Sequence, residues 1–322
     1  MRPRADDRTP AGLLAAARGG ERRAAARLLT IVEHGGPAAE EVAEATHPLS
    51  GGAHVVGITG APGSGKSTLV GVLATRLAEA GGRPAVVAVD PSSPLTGGAI
   101  LGDRVRMEAA TAAGAFIRSV ATRGHGGGLA LSVPGSVRVL DACGFDPIVV
   151  ETVGVGQVEV DVAAAADTTV VVVTPGWGDA VQANKAGLLE VADLFVVNKA
   201  DRPGADDARR DLELMLDLSE VSGSAGDDRP AVLSTTATAG DGVDRVLAAV
   251  EDHHRRLAAG RGLVERRARR FDAEVRARLG HLLEDAVGRL LTGEPAGGRS
   301  SETPVAAARR LAGRLLAGGE HG

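Results

Sequence analysis

The chain has 322 residues, a formal net charge of −5, 44% hydrophobic and 24% charged residues, figures that exclude a disordered chain and any general attraction to polyanions. Four Phe, one Trp and no Tyr are too few for single-strand nucleic-acid binding by base stacking. Cys143 is the only cysteine, which excludes an internal disulfide and a Cys-rich zinc site. With no apolar stretch near 18 residues and no apolar signal region, the expectation is a cytoplasmic protein without a membrane or nucleic-acid partner.

Residues 11–47 carry a partly helical pattern, with Leu13, Leu14, Leu28, Leu29, Ile31 and Val32, which Gly35-Gly36-Pro37 divides into two helices. Residues 1–50 therefore read as a helical N-terminal extension. From residue 53 to about 258, short apolar runs alternate with helical segments: 53–59, 85–90, 115–119, 147–151, 168–174, 193–198 and 231–234. A run such as Thr169-Val170-Val171-Val172-Val173 lacks polar alternation, as strands buried on both faces of a parallel sheet do. The alternation predicts an α/β fold with a mostly parallel sheet flanked by helices over residues 51–258. Cys143 falls in a helical stretch and reads as a small buried packing residue.

After residue 258 the strands stop. Phe271, Val275, Leu279, Leu282, Ala286 and Leu290 recur at helical spacing, Gly293 to Gly298 interrupts, and a second helix is predicted from about residue 304. An apolar stripe outside the sheet must fold back on its own domain or pair with another subunit, so residues 259–322 are expected to form a dimerisation region. Nine arginines between 255 and 278 are mixed with three acids and read as a solvated helix face.

Two motifs carry the chemistry. The run His54 to Thr59 followed by Gly60-Ala61-Pro62-Gly63-Ser64-Gly65-Lys66-Ser67-Thr68 reads as strand, P-loop and helix. Its glycines let backbone N–H groups turn inward around a β-phosphate at a helix N-terminus. Lys66 would span the β- and γ-phosphates, and the Ser67 hydroxyl would ligate Mg²⁺. Downstream, Asn198-Lys199-Ala200-Asp201 ends an apolar run. A carboxylate at Asp201 can accept from both N1–H and the 2-amino group of guanine, donors that adenine lacks there. Asn198 and Lys199 would brace the loop and cover the base, and Thr236-Ala237 resembles the weaker base-contact loop of G proteins. Lysine occurs three times against 33 arginines, at Lys66, Lys185 and Lys199. Lys66 and Lys199 lie in these motifs and Lys185 ends Gly176 to Lys185, a third segment that reads as nucleotide machinery, where a compact ammonium suits a role that a guanidinium does not.

Acids stand at strand ends between these motifs. Asp90 follows Val86 to Val89, and Glu151 follows Pro147 to Val150, with Gly154 able to offer a backbone N–H to the γ-phosphate. Either acid could hold the Mg²⁺ shell. Asp103 is a third candidate, with a helix N-cap as its other reading.

Val89-Asp90-Pro91-Ser92-Ser93-Pro94, Gly98 to Met107, Phe116-Ile117-Arg118-Ser119 and Glu151-Thr152-Val153-Gly154-Val155-Gly156-Gln157 together resemble the MeaB family of P-loop GTPases, also called ArgK. The resemblance runs from about residue 20 into the C-terminal helices. It implies a homodimeric GTPase that turns GTP into GDP and phosphate. Its expected role is as a chaperone for an adenosylcobalamin-dependent acyl-CoA mutase, gating cofactor delivery from an adenosyltransferase. Carried over by position, Ser67, Asp90, Asp103 and Glu151 form the Mg²⁺ environment, and Lys66, Glu151 and Gly154 act on the phosphates. Residues 176–187 form a partner-sensing switch with Asp179, Gln182 and Lys185 as polar contacts. Trp177, Ala180 and Asn184 depart from the residues more usual there in the family. Two other readings are a nickel-insertion GTPase, for which one Cys and dispersed histidines supply no metal cluster, and a kinase or ATPase of basic amino-acid transport, which Asp201 opposes.

Overall fold

The computed structural model describes residues 9–91, 107–122, 128–152, 165–176, 189–221, 229–292 and 302–317. Among these residues seven strands form one sheet: β1 (Val55–Thr59), β2 (Ala85–Pro91), β3 (Phe116–Thr122), β4 (Ile148–Thr152), β5 (Thr168–Val173), β6 (Leu194–Asn198) and β7 (Ala231–Thr235). Their order is β3-β2-β4-β1-β5-β6-β7, and every pairing is parallel. Each apolar run of the sequence lies in a strand, with ends shifted by a few residues. Every residue of β1, β4, β5 and β6 is buried. Helices cover both faces there, so selection for polar alternation is absent and Val fills both sides.

The helices are α1 (Pro10–Arg18), α2 (Arg22–His34), α3 (Pro37–Thr46), α4 (Lys66–Glu79), α5 (Glu108–Ala113), α6 (Gly128–Ala142), α7 (Ala205–Val221), α8 (Val243–Ala259), α9 (Gly262–Thr292) and α10 (Pro304–Ala317). The period-2 pleat sends successive strand residues to opposite cores. On one face Leu28, Leu29 and Leu140 join Val55, Val87, Ile148 and Val150, and Leu212 and Leu216 of α7 cover Val171, Phe195 and Val197. On the other, Leu69 and Leu73 of α4, Met107, Ala110 of α5 and Val246 of α8 cover Val56, Ile58, Val149, Val170 and Val196. Cys143 follows α6 and is fully buried, and that burial pushes its thiol up to about 11.

The N-terminal segment forms three helices where the sequence pattern predicts two. Gly35-Gly36 separates α2 from α3, and Gly19-Gly20 adds a break, with Gly20 at φ +98°. These helices share the core of the sheet. Arg118 on edge strand β3 ties α2 down through Glu33 at 2.7 and 2.8 Å and Thr30 at 3.1 Å.

Helix α9 corrects one expectation. Three of the nine arginines read as a solvated face are half-buried clamps. Arg266 holds Asp193 at 2.6 and 2.7 Å, while Arg267 and Arg270 hold Asp167 at 3.1 and 3.4 Å. Asp167 and Asp193 stand just before β5 and β6, where each carboxylate also accepts a strand N–H, from Val55 at 3.0 Å and Thr169 at 2.7 Å. A helical-wheel pattern cannot show which arginines face a buried acid far away in sequence. Further along α9, Arg138 of α6 pairs with Glu274. The apolar residues of α9 are exposed on both sides of that contact, with Phe271 55%, Leu279 53% and Leu282 59% exposed. Among the described residues no helix is long and apolar enough to cross a membrane.

Candidate functional site

The chain leaves β1 through a loop whose glycines are stereochemically required. Gly60 has φ +135°, and a Cβ there would lie 2.1 Å from the Val172 carbonyl oxygen. Gly65 has φ +91°, and a Cβ there would lie 2.3 Å from Asn198 Nδ2. An L side chain at either position would be both strained and blocked. The loop then delivers Lys66 as the first residue of α4.

Lys66 is 5% exposed, and its ammonium donates to the carbonyls of Gly60 at 2.6 Å and Ala61 at 3.0 Å. The Ser67 hydroxyl donates to Glu151 Oε1 at 2.6 Å, which joins the start of α4 to the end of β4. Asn198, 2% exposed at the end of β6, reaches three ways. Its Nδ2 donates to the Ser64 carbonyl at 2.8 Å, and its Oδ1 accepts from the Ala237 N–H at 3.1 Å and the Thr235 hydroxyl at 3.2 Å. Lys199, at φ +60°, donates to the Gly63 carbonyl at 2.6 Å. Two adjacent residues at the end of β6 thus grip a loop that lies 134 and 136 positions away in sequence.

These groups border a cavity of about 460 Å³ beyond the carboxyl ends of β1, β2 and β4, with Gly65, Lys66, Ser67, Thr68, Glu151 and Lys199 in its wall. A helix N-terminus and two ammonium groups give it a positive field, and the Ser67 and Glu151 oxygens stand side by side in its wall. It is suited to a polyphosphate. Pro62 and Gly63 lie at its exposed lip, and Ser64 is buried beneath it. Thr236 and the buried Ala237 follow β7, and the Ala237 N–H meets Asn198, while Asp201 is exposed beyond β6. The backbone of Asp90 lies in β2, but its side chain lies outside the described residues, as do Asp103, Gly154, Asp179, Gln182 and Lys185.

Sequence reasoning missed part of this arrangement. Thr152 donates to Thr59 Oγ1 at 3.2 Å, so the last residues of β1 and β4 are bridged just below the cavity. Ala88 and Val89 line its side. A hydroxyl ending two strands was the only available signal. The histidines are also less dispersed than they look in sequence. At the amino end of the strands, opposite the P-loop, His54 stacks on His254 with centroids 4.0 Å apart. His54 Nε2 and His253 Nδ1 meet on Thr168 Oγ1 at 2.8 and 2.9 Å. Burial, then the neighbouring His254, drive the His54 pKa down to about 3. Burial alone would raise Asp193, but hydrogen bonds from His253 and Arg266 outweigh it and hold its carboxyl at about 2. Among the described residues no group of three or more His, Cys, Asp or Glu is arranged to hold a metal ion.

An all-parallel sheet with a P-loop at the end of β1, joined to Asn198-Lys199-Ala200-Asp201 at the end of β6, defines a P-loop GTPase. The family model described as Methylmalonyl Co-A mutase-associated GTPase MeaB matches residues 25–295, and the chain belongs to that family. A protein of Mycobacterium tuberculosis named as a probable GTPase is 45% identical over 278 residues, covering 84% of this chain and 81% of that one. A protein of Cupriavidus metallidurans named fused isobutyryl-CoA mutase is 40% identical over 198 residues, covering 60% of this chain and 18% of that one. A solved structure titled as a LAO/AO transport system kinase superposes with a TM-score of 0.71 at 28% identity, covering 98% of this chain and all of the other.

Proposed function

We propose that this GTPase is Mg²⁺-dependent and serves an adenosylcobalamin-dependent acyl-CoA mutase as a chaperone, gating cofactor loading from an adenosyltransferase and rescuing the mutase. One observation carries the mutase assignment: a homologous segment is part of the same polypeptide as an isobutyryl-CoA mutase in Cupriavidus metallidurans. Units joined in one chain in one organism act on one another, and the same reading extends here to separate chains. A GTP-consuming protein of this kind works in the cytoplasm, where the nucleotide pool is.

In the nucleotide site, Lys66 gives up the Gly60 and Ala61 carbonyls to neutralise charge on the β- and γ-phosphates, and the Gly60 to Thr68 amides surround the β-phosphate. Ser67 and Glu151, whose oxygens lie 2.6 Å apart, suit a hard cation that accepts oxygen ligands. With Asp90 and Asp103 they would hold Mg²⁺, which supplies charge neutralisation on the phosphates. Asp201 accepts from the guanine edge, Asn198 and Lys199 brace the loop beneath the base, and Thr236 and Ala237 border it. The Gly154 N–H contacts the γ-phosphate, so loss of that group releases the segment after β4. Asp179, Gln182 and Lys185 read the partner. Residues 51–258 form the GTPase domain, 1–50 its extension and 259–322 the region that pairs two copies.

The test measures phosphate release from GTP and ATP, with and without a purified candidate mutase, alongside co-purification in GDP and in a non-hydrolysable GTP analogue. Hydrolysis at least about tenfold faster for GTP, dependent on Mg²⁺ and accelerated by mutase, is expected. Equal turnover with and without a mutase that demonstrably binds would refute the chaperone role. The kinase named in the similar solved structure adds a second reading. Transfer of labelled phosphate to an acceptor other than water, in the same assay, would favour it.

A further inference from the structure

Two successive residues at the end of β4 hold the two ends of the P-loop. Glu151 sends its side chain toward α4, where Oε1 accepts from the Ser67 hydroxyl at 2.6 Å, just past the loop. Side chains alternate along a strand, so Thr152 points to the other face of the sheet. There its hydroxyl donates to Thr59 Oγ1 at 3.2 Å. Thr59 ends β1 and immediately precedes Gly60, so one strand end fastens the loop at its entry and at its exit. The contact continues the register of the β1–β4 pair, in which Ile58 lies opposite Glu151.

Packing does not account for these two hydroxyls. Thr59 and Thr152 are 0% and 1% exposed, and the other side chains that β1 and β4 send to this face, Val55, Ile148 and Val150, are apolar. Valine has nearly the shape of threonine and brings no hydroxyl to desolvate. A Thr–Thr pair across two strands adds little to the stability of a sheet. What it supplies is placement, because it fixes the end of β4 against the start of the P-loop. Nucleotide affinity draws on Lys66, the N-terminus of α4 and the residues after β6, whose contacts do not pass through this bridge. The end of β4 carries Glu151, in the cavity wall beside Ser67. A small misplacement of a group that orients reacting atoms costs rate steeply. We propose that Thr152 and Thr59 are positioning residues for GTP hydrolysis. Their bridge sets the place of Glu151 and so acts on the chemical step and not on nucleotide binding, resting on the reading above that Glu151 helps to hold the Mg²⁺ shell.

Phosphate release at saturating GTP gives kcat, and titration with a fluorescent GDP analogue in the absence of divalent cation gives affinity independently of turnover. Thr152→Val is expected to lower kcat about tenfold or more, with the KM for GTP and the affinity for the GDP analogue within about twofold of the parent. Thr152→Ser keeps the hydroxyl and should restore kcat to within about threefold. Thr59→Val should reproduce the loss from the other partner, and the double variant should lose no more than the worse single one, as residues acting through one contact do. Amide exchange across residues 148–152 of the nucleotide-free chain should accelerate in Thr152→Val and not in Thr152→Ser. Thr46→Val is the control: it removes a hydroxyl that is 1% exposed and bonded to the Val42 carbonyl at 2.7 Å in α3, outside the cavity wall, and should leave kcat unchanged. If Thr152→Val does not fold, Thr59→Val carries the same expectations. The proposal is overturned by a Thr152→Val kcat within about twofold of the parent, by equal falls in kcat and GDP-analogue affinity, by unchanged exchange, or by additive losses in the double variant. Glu151→Gln separates this proposal from the reading beneath it. Parental Mg²⁺-dependent hydrolysis in that variant would remove Glu151 from the cation shell and the bridge's route with it, whereas lost hydrolysis there beside a fully active Thr152→Val removes the bridge alone.

Discussion

Asn198 and Asp201 lie three residues apart in one motif, yet the physics of each is different. Asn198 is buried and serves the Ser64 carbonyl, the Thr235 hydroxyl and the Ala237 N–H. Asn198→Ala would leave at least the Ser64 carbonyl and the Ala237 N–H without that partner. A loss of about 2–4 kcal/mol in unfolding free energy is expected, measured by urea titration, together with weaker GTP binding as the loop relaxes. Asp201 is exposed, so Asp201→Ala should leave stability within about 0.5 kcal/mol of the parent. Guanine nucleotide affinity should fall about ten- to a hundredfold, because a charge-assisted pair of hydrogen bonds is lost. A comparable stability loss in both variants, or unchanged GTP affinity in Asp201→Ala, would contradict these assignments. The motif's residue types were readable from the chain. That its asparagine works by clamping the P-loop to the loop after β7 was not, because all three of its partners are distant in sequence or belong to backbone.

The elements show how strand entries and helix α9 depend on each other. Asp167 is fully buried, holds the Val55 N–H, and is answered by Arg267 and Arg270. Arg267 also donates to the Gly51 carbonyl and, at 3.0 Å, to that of Ala53. Removing one partner of a buried carboxylate is costly. Arg267→Ala should therefore destabilise the protein by about 3 kcal/mol and raise amide exchange at the start of α9. Arg261→Ala, at a residue whose side chain is 92% exposed, is the matched control and should change stability by no more than about 0.5 kcal/mol. Equal effects would show that the clamp contributes nothing. Sequence periodicity established that α9 is a helix with an apolar stripe. Which of its arginines face inward depended on where the entries of β5 and β6 came to rest.

For the whole molecule, α9 projects an apolar stripe that the rest of the described chain leaves exposed, including Leu279, Leu282 and Leu283. Pairing of two copies through this helix would cover it. Leu279→Glu combined with Leu282→Glu is expected to yield a monomer in sedimentation velocity with the GTP affinity of the parent; an unchanged assembly state would remove α9 from the interface. Stability should also respond to acid through His54. Its folded pKa, about 3, lies below its ordinary 6.5, so the unfolded chain binds more protons than the native one as pH falls. The contribution is complete above pH 6.5 and is lost progressively from there down through about pH 3, to a total on the order of 5 kcal/mol. Asp193 adds to the decline only below 3.8, as its carboxyl protonates toward about 2. Urea titrations between pH 7 and 4 should show the loss for the parent chain and a flatter profile for His54→Gln; parallel profiles would discount His54 as the cause.

The chain by itself determined the strands, the P-loop and the Asn198 to Asp201 motif that follows β6, because each depends on local patterns: unbroken Val-rich runs for two-faced burial, glycines where φ is positive, and one short polar run after one strand. Tertiary structure alone decided the Ser67–Glu151 contact, the Asn198 clamp, the inward arginines of α9 and the meeting of His54 with His253 and His254. Those arise from the order in which parallel strands lie side by side. That order sets which strand ends become neighbours, and no local periodicity records it.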